Sequence, residues 1–236
     1  MELSYGSFAG RVEWPRRALR ASVMALALLS GVLMAGFGPM LAATAARADA
    51  SAPFRLAVLG DSLTAGYGLP AAAAFPERLK KSLADKGIAV DIINAGVSGD
   101  TASGGRDRLD WSIPDGTRAV LVELGANDAL RGVDPSVTRA ALDEIITRLQ
   151  QRGIAVMLCG MYAPRNLGPD YVGKFDAIYP ELAKAHDVPL YPFFLDGVAG
   201  DAKLTQPDGL HPTAAGVDVI VGRIMPSVEA LLASRF

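Results

Sequence analysis

The sequence predicts an α/β domain in which a parallel sheet lies between layers of helices. From residue 54 onward, short apolar runs alternate five times with longer segments of helical period. The runs are rich in Leu and β-branched residues and bounded by Gly or polar turns, the pattern of strands buried on both faces. Repetition of this kind builds βαβ units, whose right-handed crossovers set the strands parallel.

Composition narrows the rest. Half of the 236 residues are hydrophobic and a fifth are charged, enough for one full-sized core and too apolar for a disordered chain. Basic and acidic side chains number 23 and 25. A nucleic-acid binder carries a strong positive excess, so no nucleic-acid partner is expected. A single cysteine excludes an intramolecular disulfide, and two histidines leave little for a histidine-rich metal site. With no internal repeat or linker after residue 53, residues 51–236 are expected to form one domain. It is expected to be a monomer or weak oligomer with no stable protein partner.

Residues 1–50 read differently. Arg11, Arg16, Arg17 and Arg20 form a basic stretch, followed by an uncharged run from Ala21 to Ala46. Ala46-Arg47-Ala48 and Ala48-Asp49-Ala50 then supply small-residue exits. That order is the signature of an export signal cut after Ala48 or Ala50, which would deliver a periplasmic or secreted domain. The same run is long enough to span a bilayer, and uncut it would be a membrane anchor. The Arg16-Arg17 pair alone does not specify a twin-arginine route.

The first strand, Arg55–Gly60, runs into Gly60-Asp61-Ser62-Leu63. A Ser at such a turn is either a helix N-cap or a nucleophile. Thr64 stands where the G-x-S-x-G elbow needs its second Gly. A helix over Phe75–Lys86 leads to the second strand, Ile88–Asn94, and then to Asn94-Ala95-Gly96-Val97-Ser98-Gly99-Asp100-Thr101. A glycine in this turn lets the backbone come close to a ligand with its N–H outward, while the spacing fits no nucleotide-binding loop.

A helix over Thr101–Trp111 precedes the third strand, Arg118–Leu124, which ends in Glu123-Leu124-Gly125-Ala126-Asn127-Asp128. Asn127 is there either a cap or a neutral donor to a developing oxyanion, and Asp128 is a second candidate cap. The helix Pro135–Arg152 follows, with Val137, Ala141, Leu142, Ile145, Ile146 and Leu149 on one stripe. In the fourth strand, Ile154–Gly160, Cys159 reads as a small buried hydrophobe rather than a reactive thiol. Helix Asp170–Ala185, strand Val188–Tyr191 and helix Thr213–Ser234 complete the chain.

Asp208-Gly209-Leu210-His211-Pro212 precedes that last helix. His186 follows a helix, within Ala185-His186-Asp187, where a solvated or capping role suits it, leaving His211 as the credible general base. A carboxylate three residues earlier, across a Gly-containing turn, can fold back onto the imidazole and fix its tautomer. The other reading is an Asx-type turn with His211 exposed.

Taken in order, these four blocks resemble the GDSL or SGNH hydrolase superfamily. Closest in pattern is its exported thioesterase/arylesterase/lysophospholipase branch. Gly60-Asp61-Ser62-Leu63-Thr64-Ala65-Gly66-Tyr67, Ser98-Gly99-Asp100-Thr101, Glu123–Gly132 and Ala177-Ile178-Tyr179-Pro180 carry the likeness, over roughly residues 54–225.

The resemblance implies a three-layer α/β/α sandwich with a five-stranded parallel sheet of flavodoxin-like order. It implies a Ser62–His211–Asp208 triad and an oxyanion hole from the Ser62 and Gly96 N–H groups and the Asn127 amide. Neither metal nor organic cofactor is expected. The implied substrates are small acyl esters or lipids: aryl and acyl esters, lysophospholipids and acyl thioesters. Leu63, Tyr67, Met161, Ala163, Leu167, Phe194 and Leu204 are candidates to line an acyl groove or to pack the strand-end loops. The alternatives are a carbohydrate O-acetylesterase of the same fold and a catalytically silent binding protein.

Overall fold

The computed structural model describes residues 54–234. The export signal expected over residues 1–50 lies outside the described residues. Five strands form one sheet: β1 (Phe54–Gly60), β2 (Val90–Gly96), β3 (Ala119–Glu123), β4 (Ala155–Cys159) and β5 (Leu190–Tyr191). All neighbouring pairs are parallel, in the order β2-β1-β3-β4-β5. This is the flavodoxin-like order. After β1 the chain moves to one side to lay down β2, then returns to the other side for β3. Such a reversal leaves a crevice beyond the carboxyl ends of β1 and β3, where ligands gather in sheets of this kind.

Every residue of β3 and β4 is buried, and alternate side chains leave opposite faces of a strand, so both faces are covered. The edge strand β2 departs from the expected two-sided burial: Asn94 is exposed, and Asp91 and Ile93 are half-buried. At the other edge, the strand expected from Val188 contracts to two residues, because Pro189 has no N–H to give a ladder.

The helices are α1 (Ser62–Ala65), α2 (Phe75–Asp85), α3 (Ala102–Asp107), α4 (Leu109–Ser112), α5 (Ala126–Leu130), α6 (Pro135–Gln151), α7 (Pro169–Asp176), α8 (Ile178–His186) and α9 (Ala214–Ala233). They form two packed groups, α2 with α9 and α6 with α3 and α8. In α6, Ala141, Leu142, Ile145, Ile146 and Leu149 are buried as the stripe requires, whereas Val137 at its margin is exposed.

Two helices expected to be continuous are broken. The segment 101–111 divides at Arg108, which ends α3 and precedes α4. The segment 170–185 divides at Ala177. Pro180 lacks the N–H that would reach the Asp176 carbonyl four residues back, so the helix cannot run through.

Candidate active site

β1 delivers the chain to the crevice with no room at its last residue. A Cβ on Gly60 would lie 2.7 Å from the Glu123 carbonyl oxygen of neighbouring β3. Asp61, not Ser62, caps α1: its Oδ1 accepts the Leu63 N–H at 2.9 Å. Ser62 is therefore the first residue of the helix. Its own N–H has no partner among the described residues, as expected at a helix start.

The second half of the centre arrives 149 residues later. Asp208 Oδ1 accepts the N–H groups of Leu210 (2.9 Å) and His211 (3.0 Å), an Asx-type turn eased by Gly209 at φ +70°. The other oxygen, Oδ2, lies 2.6 Å from His211 Nδ1. His211 Nε2 lies 2.9 Å from Ser62 Oγ. Thus the Asx-type turn forms, but His211 is half-buried rather than exposed, because one carboxylate serves the turn with one oxygen and the imidazole with the other. The backbone N–H of His211, that of Leu210 and the imidazole together hold Asp208 down to about 2. Tyr67 covers the imidazole, ring centroids 4.5 Å apart.

β3 supplies the third part. Gly125 takes φ +113°, and the buried Tyr179 hydroxyl donates to the Leu124 carbonyl at 2.9 Å. This reversal starts α5 and sends Asn127 towards Ser62. Asn127 Nδ2 donates to Asp61 Oδ2 (3.0 Å) and to the Asp100 carbonyl (2.9 Å), so both amide hydrogens are engaged. Asp128 caps a different helix from the one expected: its carboxylate accepts from Ala102 N–H at the start of α3 and from the Thr138 hydroxyl.

Gly96 does not fill the role expected of it. It is still part of β2, paired with Gly60. Val97 N–H turns inward to the Gly60 carbonyl, so by strand alternation the Gly96 N–H turns to the open edge, where Asn94 Oδ1 accepts it at 3.0 Å. The glycine of this block whose N–H has no partner among the described residues is Gly99, at φ +87° in the turn closed by Asp100 N–H to the Val97 carbonyl. The signal for it, the Ser98-Gly99-Asp100 turn, stood in the same block of sequence.

Beneath the nucleophile two carboxyl groups are fully buried. Burial pushes Asp61 up to about 6, against the pull of the Leu63 N–H and the Asn127 amide. Glu123 is raised well above the carboxylate range by burial and by Asp61 beside it, and its Oε1 finds no partner.

Ser62 and His211 open onto a cavity of about 380 Å³. Its walls are mainly apolar: Leu63, Ala126, Met161, Ala163 and Phe193 among them, with Leu130, Tyr162 and Leu210 exposed at the rim. Of the residues expected to line a groove, Leu63, Met161 and Ala163 do so. Tyr67, Leu167, Phe194 and Leu204 are not in its walls. Phe194 is in the core, edge-on to Phe75, and its neighbour Phe193 faces the cavity instead. Cys159 is buried, and burial pushes its thiol up. His186 pairs with Asp143, away from the site.

The model of the GDSL-like lipase/acylhydrolase family matches residues 58–219, more than half of the chain. The chain belongs to this family. Its sequence is 36% identical over 178 residues to Esterase TesA of Pseudomonas aeruginosa, across 75% of this chain and 89% of that protein. It is 42% identical over 164 residues to Thioesterase 1/protease 1/lysophospholipase L1 of Escherichia coli strain K12, across 69% and 77% of the two chains. Among solved structures, a psychrotrophic esterase EstA from Pseudoalteromonas sp., inhibited by monoethylphosphonate, superimposes with a TM-score of 0.72 at 30% identity. That match covers 76% of this chain and 98% of the other. Membership in the GDSL family accounts for the order of the four blocks along the strand ends.

Proposed function

We propose that this GDSL hydrolase cleaves carboxylic esters and thioesters through an acyl-enzyme on Ser62. The observation that carries the reading is the unbroken line of Ser62 Oγ, His211 and Asp208, at 2.9 and 2.6 Å, on the wall of an apolar cavity. A Ser hydroxyl is nearly inert at neutral pH without such a base. His211 takes the proton as Ser62 attacks the acyl carbonyl, then returns it to the leaving alcohol or thiol; water repeats the cycle and frees the acid. Asp208 stays ionised and steadies the imidazolium.

The oxyanion donors are the Ser62 and Gly99 N–H groups and the Asn127 amide, which shares a hydrogen now given to Asp61 or Asp100. The apolar cavity suits acyl chains better than a sugar, which supports aryl esters, acyl esters and lysophospholipids as substrates. We infer that the leader exports the enzyme to the periplasm and is removed, and that the monomer is active, because one chain supplies the whole triad. N-terminal sequencing of the exported protein checks the first point and size exclusion the second.

A fluorophosphonate probe should label the wild type and not Ser62→Ala, and p-nitrophenyl esters of C6–C10 acids should be turned over. Turnover surviving in Ser62→Ala would refute the nucleophile. A maximum at acetate with none at C6–C10 would instead point to a carbohydrate O-acetylesterase.

A further inference from the structure

Arg108 is buried, 5% exposed, in a site with no established task for it. A guanidinium taken out of water persists only when its charge and its planar set of donors are met. Here they are. Nε donates to Asp100 Oδ2, Nη1 to the Ala95 carbonyl (2.8 Å) and the Ser112 hydroxyl (3.0 Å), and Nη2 to the Gly60 carbonyl (2.9 Å). The chain breaks its helix at this residue to place it.

These acceptors share a location. Gly60 is the last residue of β1, two before Ser62, and Ala95 lies at the end of β2. The strands are in register to Gly60 and Gly96 and part beyond them, and the guanidinium bridges one carbonyl on each at that fork. Its carboxylate partner, Asp100, closes the turn that carries Gly99 and gives its main-chain carbonyl to Asn127. Arg108 is not in the wall of the acyl cavity.

We propose that Arg108 is the positioning residue of the oxyanion hole: its fork locks the ends of β1 and β2 to the Val97–Asp100 turn and so holds Gly99 and Asn127 where the acyl oxygen arrives. The inference rests on the esterase reading above. Because Arg108 acts through those donors and touches no substrate, its loss weakens the transition state rather than substrate binding. A lysine keeps the charge but not the planar fork, so it does not substitute.

The test compares Arg108→Lys and Arg108→Ala with the wild type on p-nitrophenyl butyrate, at a temperature where circular dichroism shows each folded. Arg108→Lys should lose roughly ten-fold or more in kcat with KM nearly unchanged. Arg108→Ala should lose more and regain part of it on adding guanidinium ion, which should not speed the wild type. Wild-type kcat in Arg108→Lys with only a lower Tm overturns the proposal, as does a loss carried mainly by KM. A folded Arg108→Ala that guanidinium leaves unchanged overturns it too. Should Arg108→Ala fail to fold, the kcat and KM of Arg108→Lys decide alone. A folded wild type that turns over no ester fails at an earlier step and removes the esterase reading together with the inference built on it.

Discussion

At the scale of single residues, Asn127 and the buried carboxyls make the most specific demands. Asn127→Ala removes one oxyanion donor and should cut kcat by roughly 10²–10³, with little change in Tm; steady-state kinetics and a thermal melt separate the two. Asp61 and Glu123 lie side by side under the nucleophile, and among the described residues neither forms an ion pair. A carboxyl with a higher pKa in the fold than in the unfolded chain binds its proton more tightly when folded. Its contribution is therefore complete at low pH and is lost as pH rises through the folded value. For Asp61 the loss begins near its ordinary 3.8 and runs through about 6, on the order of 2–3 kcal/mol. Glu123 extends the loss to higher pH. Glu123→Gln keeps the shape and abolishes the second ionisation, so Tm should fall less steeply from pH 5 to pH 8 than in the wild type. An equal or steeper fall would mean that Glu123 is already ionised in the fold.

At the scale of elements, the strand-to-helix turns carry the chemistry, and each depends on a tight backbone. Gly125 has φ +113°, and a Cβ there would collide with the Tyr179 hydroxyl. Gly125→Ala should destabilise by more than about 2 kcal/mol, from backbone strain and the collision together. Tyr179→Phe leaves the Leu124 carbonyl without its donor, costing about 1–3 kcal/mol. Because the hydroxyl is one party to the collision, the double variant should lose less than the two single losses together. Urea unfolding of all four proteins closes this cycle, and strict additivity would remove Tyr179 from the account of why Gly125 must be glycine.

At the scale of the whole molecule, function depends on bringing the two ends of the described chain together. Ser62 follows the first strand and His211 precedes the last helix. Gln206 ties the two regions: its amide donates to the Tyr67 carbonyl (2.8 Å) after α1 and to the Pro212 carbonyl (3.0 Å) beside His211. Gln206→Ala removes that tie from a half-buried position without opening the core. It should lower kcat about ten- to a hundred-fold while leaving Tm close to the wild type, since a small misplacement of a base is costly. A variant with unchanged kcat would show that the Gln206 side chain is not needed to place His211.

Much of this was legible in the sequence, because apolar period and turn chemistry are local properties. The five runs became five strands, and Ser62, Asn127, Asp208 and His211 sit at the turns where the pattern placed them. Local patterning set the class of fold and which strand ends bear polar groups. Packing between distant segments set which way those groups point. Gly96 and Gly99 stand in one block of sequence, yet their N–H directions depend on where β2 stops pairing with β1 and on β2 being an edge. Phe193 and Phe194 are neighbours, and one residue of alternation sent the first to the cavity and the second to the core. Arg108 lies within a segment of helical period, and nothing local marks it out; the parting of two strands makes the buried place that it fills. Orientation belongs to contacts between segments far apart in the chain, and no local pattern encodes those.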